Sequence, residues 1–161
     1  MKRASRLTVF GVVQGVGFRP RVYRLAVGLG LKGWVENAGS GVEIHVEGPA
    51  GLVGQGFAEA LRRGLPPLAK IEKLTVRPAA VGGFRDFEIR ETRDAGGFVF
   101  ISPDIAACPE CLEEVGTPGA RRHRYPFTNC TNCGPRYTIV RDLPYDRPKT
   151  TMAGFPMCPD C

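Results

Sequence analysis

The first ninety-odd residues of this 161-residue chain contain no cysteine, although the whole chain has six. Disulfides and thiol chemistry are therefore excluded from that part of the protein. The uneven distribution divides the chain into a thiol-free region of about 90 residues, long enough for one small domain, and a shorter cysteine-bearing segment.

The sequence also lacks any apolar run near the roughly 18 residues that a membrane-spanning helix needs. A basic and then apolar start resembles a signal peptide, but Gln14 and Arg19 interrupt it and no small-x-small cleavage site follows. With 43% hydrophobic and 24% charged residues, the composition is that of a globular chain without membrane association. We therefore expect a cytoplasmic protein, in which cysteines form metal thiolates rather than structural disulfides.

There is no acidic excess. The net charge is +6, and all of it lies in residues 1–92, which hold 14 Lys/Arg against 8 Asp/Glu. A small basic domain suits an anionic ligand, either a phosphate compound or nucleic acid. Because the aromatic residues show no stacking pattern, nucleic acid is the secondary hypothesis.

Hydrophobic periodicity predicts one α+β domain over residues 1–92, a linker over 93–107 and a cysteine segment over 108–161. The order βαββαβ, formed by the two helices and the first four of the strands given below, is typical of the ferredoxin-like arrangement, a four-stranded antiparallel sheet with both helices on one face. The first strand and the strand after the first helix are expected to be central. Glu43, His45 and Glu47 alternate onto the predicted solvent face. Strands are predicted over 5–13, 32–38, 41–47, 70–78 and 84–91, and helices over 19–30 and 52–61.

A glycine-rich loop, Gly11 to Arg19, joins the first strand to the first helix. Its glycines allow successive backbone N–H groups to face an anion, and the helix N-terminus adds partial positive charge. Arg19 could give a bidentate fork to phosphate oxygens. The glycine spacing does not fit a dinucleotide-binding fingerprint, and the Lys-Ser/Thr of a P-loop does not follow. The alternative is an ordinary turn with a surface arginine.

Asn37 ends the strand Gly33-Trp34-Val35-Glu36-Asn37. If the strand lies beside the first one, Asn37 comes near the glycine loop, where its carboxamide could hold a water for attack on phosphorus. The alternative is a turn residue that tolerates left-handed geometry.

The run Val13-Gln14-Gly15-Val16-Gly17-Phe18-Arg19, followed by Gly33 to Asn37, resembles the signature of the acylphosphatase family over about residues 5–92. This resemblance implies an acyl phosphate substrate, a phosphate-binding loop of Gln14, Gly15, Val16, Gly17, Phe18 and Arg19, and two catalytic residues. Arg19 would bind the phosphoryl group, and Asn37 would position the hydrolytic water.

The cysteines form three Cys-x-x-Cys pairs: Cys108/Cys111, Cys130/Cys133 and Cys158/Cys161. The 18 residues between the first two pairs match zinc-ribbon spacing, so zinc is the expected cofactor, with a redox pair or disulfides as alternatives. All six are candidate ligands. Loop closure over 24 rather than 18 residues differs by only about 0.3 kcal/mol, so the pairing stays open, although the sequential one is preferred.

Next to the second pair lie His123 and the arginines of Arg121 to Arg124. His123 is a candidate ligand on residue type alone, and a surface role is preferred. The arginines form either a solvated loop or an RNA patch, and the first is preferred.

Cys108-Pro109-Glu110-Cys111, the run Arg124 to Arg136 and the run Leu143 to Pro148 resemble the HypF carbamoyltransferase family of [NiFe]-hydrogenase maturation. In that family an acylphosphatase domain precedes two such fingers. The resemblance implies carbamoyl phosphate as substrate and, for the full-length family, HypE as partner. Because the family continues beyond the position of Cys161, an N-terminal fragment with a truncated second finger and no transfer activity is expected.

Three functional hypotheses follow. The first is hydrolysis of carbamoyl phosphate, or acyl phosphates generally, to phosphate and a carbamate or carboxylate. The alternatives are a non-catalytic docking module of the maturation machinery and a zinc-finger nucleic-acid binder.

Overall fold

The computed structural model describes residues 2–39, 41–91, 105–130, 132–142, 147–156 and 159. Most of the predicted linker lies outside these ranges. In the described part, no helix is both long enough and apolar enough to cross a membrane. The elements are β1 (Lys2–Val12), α1 (Phe18–Gly28), β2 (Lys32–Ala38), β3 (Gly41–Pro49), α2 (Gln55–Arg62), β4 (Lys70–Ala79), β5 (Phe87–Ile89), α3 (Pro109–Gly116) and two 3-10 turns, Tyr137–Ile139 and Arg147–Lys149.

The strands form a single sheet in the order β4-β1-β3-β2-β5. The predicted α+β, acylphosphatase-like class is confirmed, but the sheet is mixed and five-stranded rather than antiparallel and four-stranded. Its fifth strand has only three residues and pairs in parallel with β2 along Gly33–Val35. Burial of Phe87, which is 5% exposed and contacts the Tyr23 ring of α1, fixes this short strand at the edge.

The central strand of the five is β3, with β1 on one side and β2 on the other, so the prediction that β2 lies beside β1 is wrong. The β2–β3 hairpin places β3 between β1 and β2, where it runs antiparallel to both. As a consequence, β1 and β2 run in the same direction and end at the same edge of the sheet. Asn37, Val42 and Val9 lie in one row across the three strands, over two strand spacings of about 4.8 Å each.

The main core lies between one face of the sheet and the two helices. Helix α1 turns Val22 and Ala26 inward, and both are fully buried. It ends two residues before the predicted end because Gly30 adopts φ +67° and forms a Schellman motif, in which Gly30 N–H donates to Val27 O and Leu31 N–H to Ala26 O. The largest fully buried side chains of this core are Phe18, Phe57, Leu7, Leu31, Ile44 and Leu61.

A second, smaller packed layer covers the opposite face of the sheet. The prediction that His45 and Glu47 face solvent is wrong, because the two residues are only 5% and 4% exposed. Trp34 stacks on the His45 ring at 6.0 Å, Phe84 packs edge-on at 5.4 Å, and the Arg90 guanidinium lies 4.8 Å from the Trp34 ring. Residues 82–84 and Arg90 thus cover a face that strand alternation alone assigns to solvent.

Glu47 is the charged anchor of this layer. Its carboxylate, 4% exposed, lies 2.9 Å from His45 Nε2 and accepts hydrogen bonds from the backbone N–H groups of Gly82 and Gly83. Burial alone would raise the pKa of Glu47, but the hydrogen bonds from His45, Gly82 and Gly83 outweigh it, and the pKa falls below its usual value of 4.5. The carboxylate therefore holds the chain segment that leads from β4 to β5.

We predict that Glu47→Ala lowers the free energy of unfolding by about 3 kcal/mol, because it leaves buried donors without an acceptor. Urea denaturation at pH 7 measures this. A lowered pKa stabilises the fold above pH 4.5, and the benefit is lost as the pH falls through the folded-state value. The difference from wild type should therefore shrink below pH 4.5.

Glu43→Ala is the matched control. Glu43 lies on the same strand and face, and its ion pair with Arg6 spans 3.9 Å at a partly exposed site. Such a pair contributes less than about 1 kcal/mol. Equal destabilisation by the two variants would contradict the anchoring role of Glu47.

Candidate active site and metal centre

The glycine loop, residues 13–17, connects β1 to α1. Gly15 and Gly17 have φ near +72°, a conformation that favours glycine, and Gly17 is the N-cap of α1. No side chain of the described residues caps the N-terminus of this helix. The helix dipole favours an anion there.

A bulge at Gly11 sets the point where the loop leaves the sheet. The register of β1 against β4 shifts between Phe10 and Gly11, and a Cβ on Gly11 would lie 2.1 Å from the carbonyl oxygen of Lys70. Only glycine fits so close to the neighbouring backbone. Its φ of +129° is equally restrictive.

Gln14 binds the loop to the β2–β3 turn. Its Nε2 donates hydrogen bonds to Gly39 O at 2.9 Å and to Gly41 O at 2.8 Å, and the residue is 8% exposed. Both amide hydrogens are thus used within the protein. Sequence reasoning grouped Gln14 with the phosphate-binding residues and missed this positioning contact.

Asn37 precedes that turn by one residue and is 1% exposed. It lies two positions after Val35, which belongs to the main core, so both residues lie on the helix-covered face of the sheet. The glycine loop leaves β1 at the same edge. Asn37 is therefore placed on the face and at the edge where α1 begins, although it does not line the cavity described next.

An open cavity of about 260 Å³ lies at the start of α1. It brings Arg19 together with Gly15, Gly17 and Phe18, whereas Val16 is fully buried in the core and does not line it. The second wall comes from the cysteine segment. The lining residues are Val13, Gly15, Gly17, Phe18, Arg19, Pro20, Asn129, Cys130, Gly134 and Pro135.

Four cysteines, Cys108, Cys111, Cys130 and Cys133, bring their sulfur atoms within 4.8 Å of one another. Three sulfur–sulfur distances are 3.6, 3.7 and 3.7 Å. Tetrahedral coordination with metal–sulfur bonds of about 2.3 Å requires sulfur atoms about 3.8 Å apart, so this donor set fits a tetrahedral metal.

The other candidate ligands do not join this cluster in the described residues. His123 is exposed and lies outside the cluster. Cys158 and Cys161 lie outside the residues that the structure describes.

Local structure positions each cysteine pair. Cys108 is the N-cap of α3 and Pro109 its first residue, which puts Cys111 on the buried side of the helix. The second pair lies in a tight knuckle, where Gly134 N–H donates to Cys130 O at 2.9 Å and Asn132 N–H to Cys130 Sγ at 3.3 Å. Backbone donors of this kind stabilise thiolate.

Arg136 supports the cluster from outside. Its Nη2 donates to Cys133 Sγ at 2.9 Å, and its Nε donates to Thr128 O at 2.8 Å. Burial would raise the pKa of Cys133, but backbone hydrogen bonds at Cys108 and Cys130 together with Arg136 lower it to about 6. Burial raises the pKa of Cys111. The one sequence signal for Arg136 is its place three residues after Cys133.

Comparisons with known proteins match two separate parts of the chain. The acylphosphatase family model matches residues 5–89, and the HypF finger model matches residues 107–140. Carbamoyltransferase HypF2 of Cupriavidus necator is 51% identical over 95% of this chain and 19% of its own length. An acylphosphatase of Syntrophotalea carbinolica is 45% identical over 53% of this chain and 92% of its own length.

Among solved structures, a full-length HypF in the phosphate- and nucleotide-bound form has a TM-score of 0.89 and 46% identity, over 100% of this chain and 21% of that one. An acylphosphatase from Bacillus subtilis has a TM-score of 0.51 and 38% identity over 56% of this chain. The chain spans about a fifth of the length of the HypF relatives it matches.

The chain combines a mixed β-sheet with helices, a glycine loop at one end of that sheet and a four-cysteine finger. These features define an acylphosphatase-like domain followed by a metal-binding finger. The chain belongs to the acylphosphatase family, and it carries a HypF finger next to that domain. Its homology to HypF carbamoyltransferases extends over nearly its whole length.

We predict that Arg136→Ala weakens metal binding by roughly tenfold or more, because partners of metal ligands tune affinity by such factors. Competition with a chromogenic chelator measures the effect. The control is Arg141→Ala, an exposed arginine of the same segment whose backbone N–H binds Lys149 O. Unchanged metal affinity in Arg136→Ala would show that the guanidinium does not stabilise the cluster.

Proposed function

We propose that this chain hydrolyses acyl phosphates, with carbamoyl phosphate as the substrate, as the first part of a HypF-type carbamoyltransferase. The observation that carries the proposal is the cavity in which Arg19 meets the glycine loop at the N-terminus of α1. Guanidinium and inward-facing N–H groups together suit a phosphoryl dianion.

The proposed chemistry is direct attack of water on phosphorus. A new P–O bond forms, the bond from phosphorus to the acyl oxygen breaks, and the leaving group departs as carboxylate or carbamate. Arg19 and the loop N–H groups neutralise charge on the phosphoryl oxygens, and Asn37 orients the water through its carboxamide. Positioning and electrostatic stabilisation carry most of such a reaction, so no covalent enzyme intermediate is required.

Two features support carbamoyl phosphate. Relatives named carbamoyltransferase match nearly the whole chain, finger included, and one solved HypF is in a phosphate- and nucleotide-bound form. We propose zinc for the four thiolates, since it favours tetrahedral sulfur sites, and the reducing cytosol as the compartment. The role of the zinc is structural. In a complete HypF-type protein, HypE would be the partner.

We predict that Arg19→Ala weakens phosphate binding and lowers kcat/KM for carbamoyl phosphate by about 100-fold or more. A hydrogen bond to a charged group contributes about 1.5–3 kcal/mol, and 1.4 kcal/mol corresponds to tenfold. Phosphate release measures kcat/KM, and isothermal titration with inorganic phosphate measures the affinity for phosphate. Arg24→Ala, an exposed arginine on the same helix, is the control.

Asn37→Ala should instead lower kcat by about 100-fold while phosphate affinity changes less than about twofold, because only the water loses its partner. Asn132→Ala, an exposed asparagine of the finger, is the control. Wild-type turnover in Asn37→Ala would contradict the water-positioning role. A wild-type chain that binds phosphate but releases none from any acyl phosphate would favour the docking hypothesis.

A further inference from the structure

The cavity at the start of α1 has a second wall that belongs to the finger. This wall consists of Asn129, Cys130, Gly134 and Pro135. The finger lies directly on the glycine loop, since a Cβ on Gly134 would be 3.6 Å from the carbonyl oxygen of Gly15. The same position would be 3.5 Å from Leu68 Cδ1, which is ordinary contact distance.

The two walls of the cavity differ in charge, and this difference orients a bound acyl phosphate. Arg19 and the N-terminus of α1 make the loop wall positive. Cys130 on the finger wall belongs to the four-cysteine cluster, and four thiolates around a divalent metal leave a net charge of about −2. A phosphoryl dianion is attracted to the first wall and repelled by the second. The acyl end of the substrate therefore points toward the finger.

Only one residue of the finger wall has a neutral hydrogen-bonding side chain. Gly134 has none, Pro135 has no N–H, and Cys130 is in the metal cluster, which leaves Asn129. The Asn129 carboxamide is oriented by a bond from its Nδ2 to Phe127 O at 3.3 Å. A carboxamide has two donor hydrogens and two acceptor lone pairs, so this bond uses one of four.

We propose that the finger forms the acyl-end wall of the acyl phosphate site and that Asn129 is a specificity-determining residue that binds the amide of a carbamoyl group. Two amides pair well because each has a donor and an acceptor side by side. The cavity volume of about 260 Å³ is below the roughly 300 Å³ of pockets for larger ligands, so it suits a small substrate. The inference rests on the proposed function and names the substrate chemistry of the same site.

The test compares two unreactive ligands by isothermal titration with the metal-loaded 161-residue chain. Phosphonoacetamide carries a phosphonate and an amide, whereas propylphosphonate carries the phosphonate alone. We expect Asn129→Ala to weaken phosphonoacetamide binding about tenfold, the effect of one lost hydrogen bond, and propylphosphonate binding less than twofold. Thr138→Ala, at an exposed residue of the finger that does not line the cavity, should change neither affinity.

Equal losses for the two ligands, or no loss for either, would overturn the role of Asn129. Phosphate release from carbamoyl phosphate is measured in parallel, so that the two proposals fail separately. If wild type hydrolyses no acyl phosphate but Asn129→Ala still abolishes the preference for the amide, the specificity role stands and the hydrolase function fails. If wild type hydrolyses carbamoyl phosphate and the preference for the amide survives the substitution, the hydrolase function stands and the specificity role of Asn129 fails.

Metal removal gives a second test that does not depend on a substitution. Cys130 and Cys133 belong to the tight turn that leads into Gly134. Removal of the metal with a chelator should therefore disorder this wall. We expect the preference for phosphonoacetamide over propylphosphonate to disappear, while inorganic phosphate still binds within about threefold and amide NMR signals of the sheet persist. A preference retained after the finger signals collapse would overturn the proposal.

Discussion

The carboxamide of Gln14 is the contact on which the arrangement of the candidate site depends. Its two donated hydrogen bonds attach the glycine loop to the turn after Asn37. The loop and the turn leave the sheet at the same end, with β3 between their strands, and the Gln14 contact joins them. A loop of glycines loses much conformational entropy on ordering, so a buried bidentate anchor is an effective way to fix its N–H groups.

Much of the fold could be predicted because local signals agreed with the final structure. The hairpin of β2 and β3 and the inward face of α1 follow from alternation, helical spacing and turn residues. The strand order did not follow, because pairing across a sheet is decided by long-range burial that a local period does not encode. His45 is a clear case. Its alternation is correct, but residues 82–84 and Arg90 cover that face, and hydrophobic periodicity does not predict a covering loop.

The candidate site divides in the same way. Arg19 and the glycines could be found from the sequence since loop, helix start and cation are contiguous. The four-cysteine cluster could be predicted from the spacing, since each Cys-x-x-Cys pair places two thiolates in one tight turn. The roles of Gln14 and Arg136 could not, because each acts through a contact with a residue whose position depends on tertiary structure. The finger wall over the loop is a contact between segments more than 100 residues apart, for which the sequence has no signal.

The charge of the finger has a consequence for the leaving group. Negative charge develops on the acyl oxygen as its bond to phosphorus breaks, and in the proposed orientation that oxygen lies near Cys130. An anionic metal centre would oppose this step, more strongly in a cavity than in water. Arg136 donates to Cys133 within the same cluster and offsets part of its charge. A finger of this kind therefore needs a paired cation to serve as the wall of an anion site, and the Arg136 contact meets that requirement without placing a second guanidinium in the cavity, where it would compete with Arg19 for the phosphoryl group.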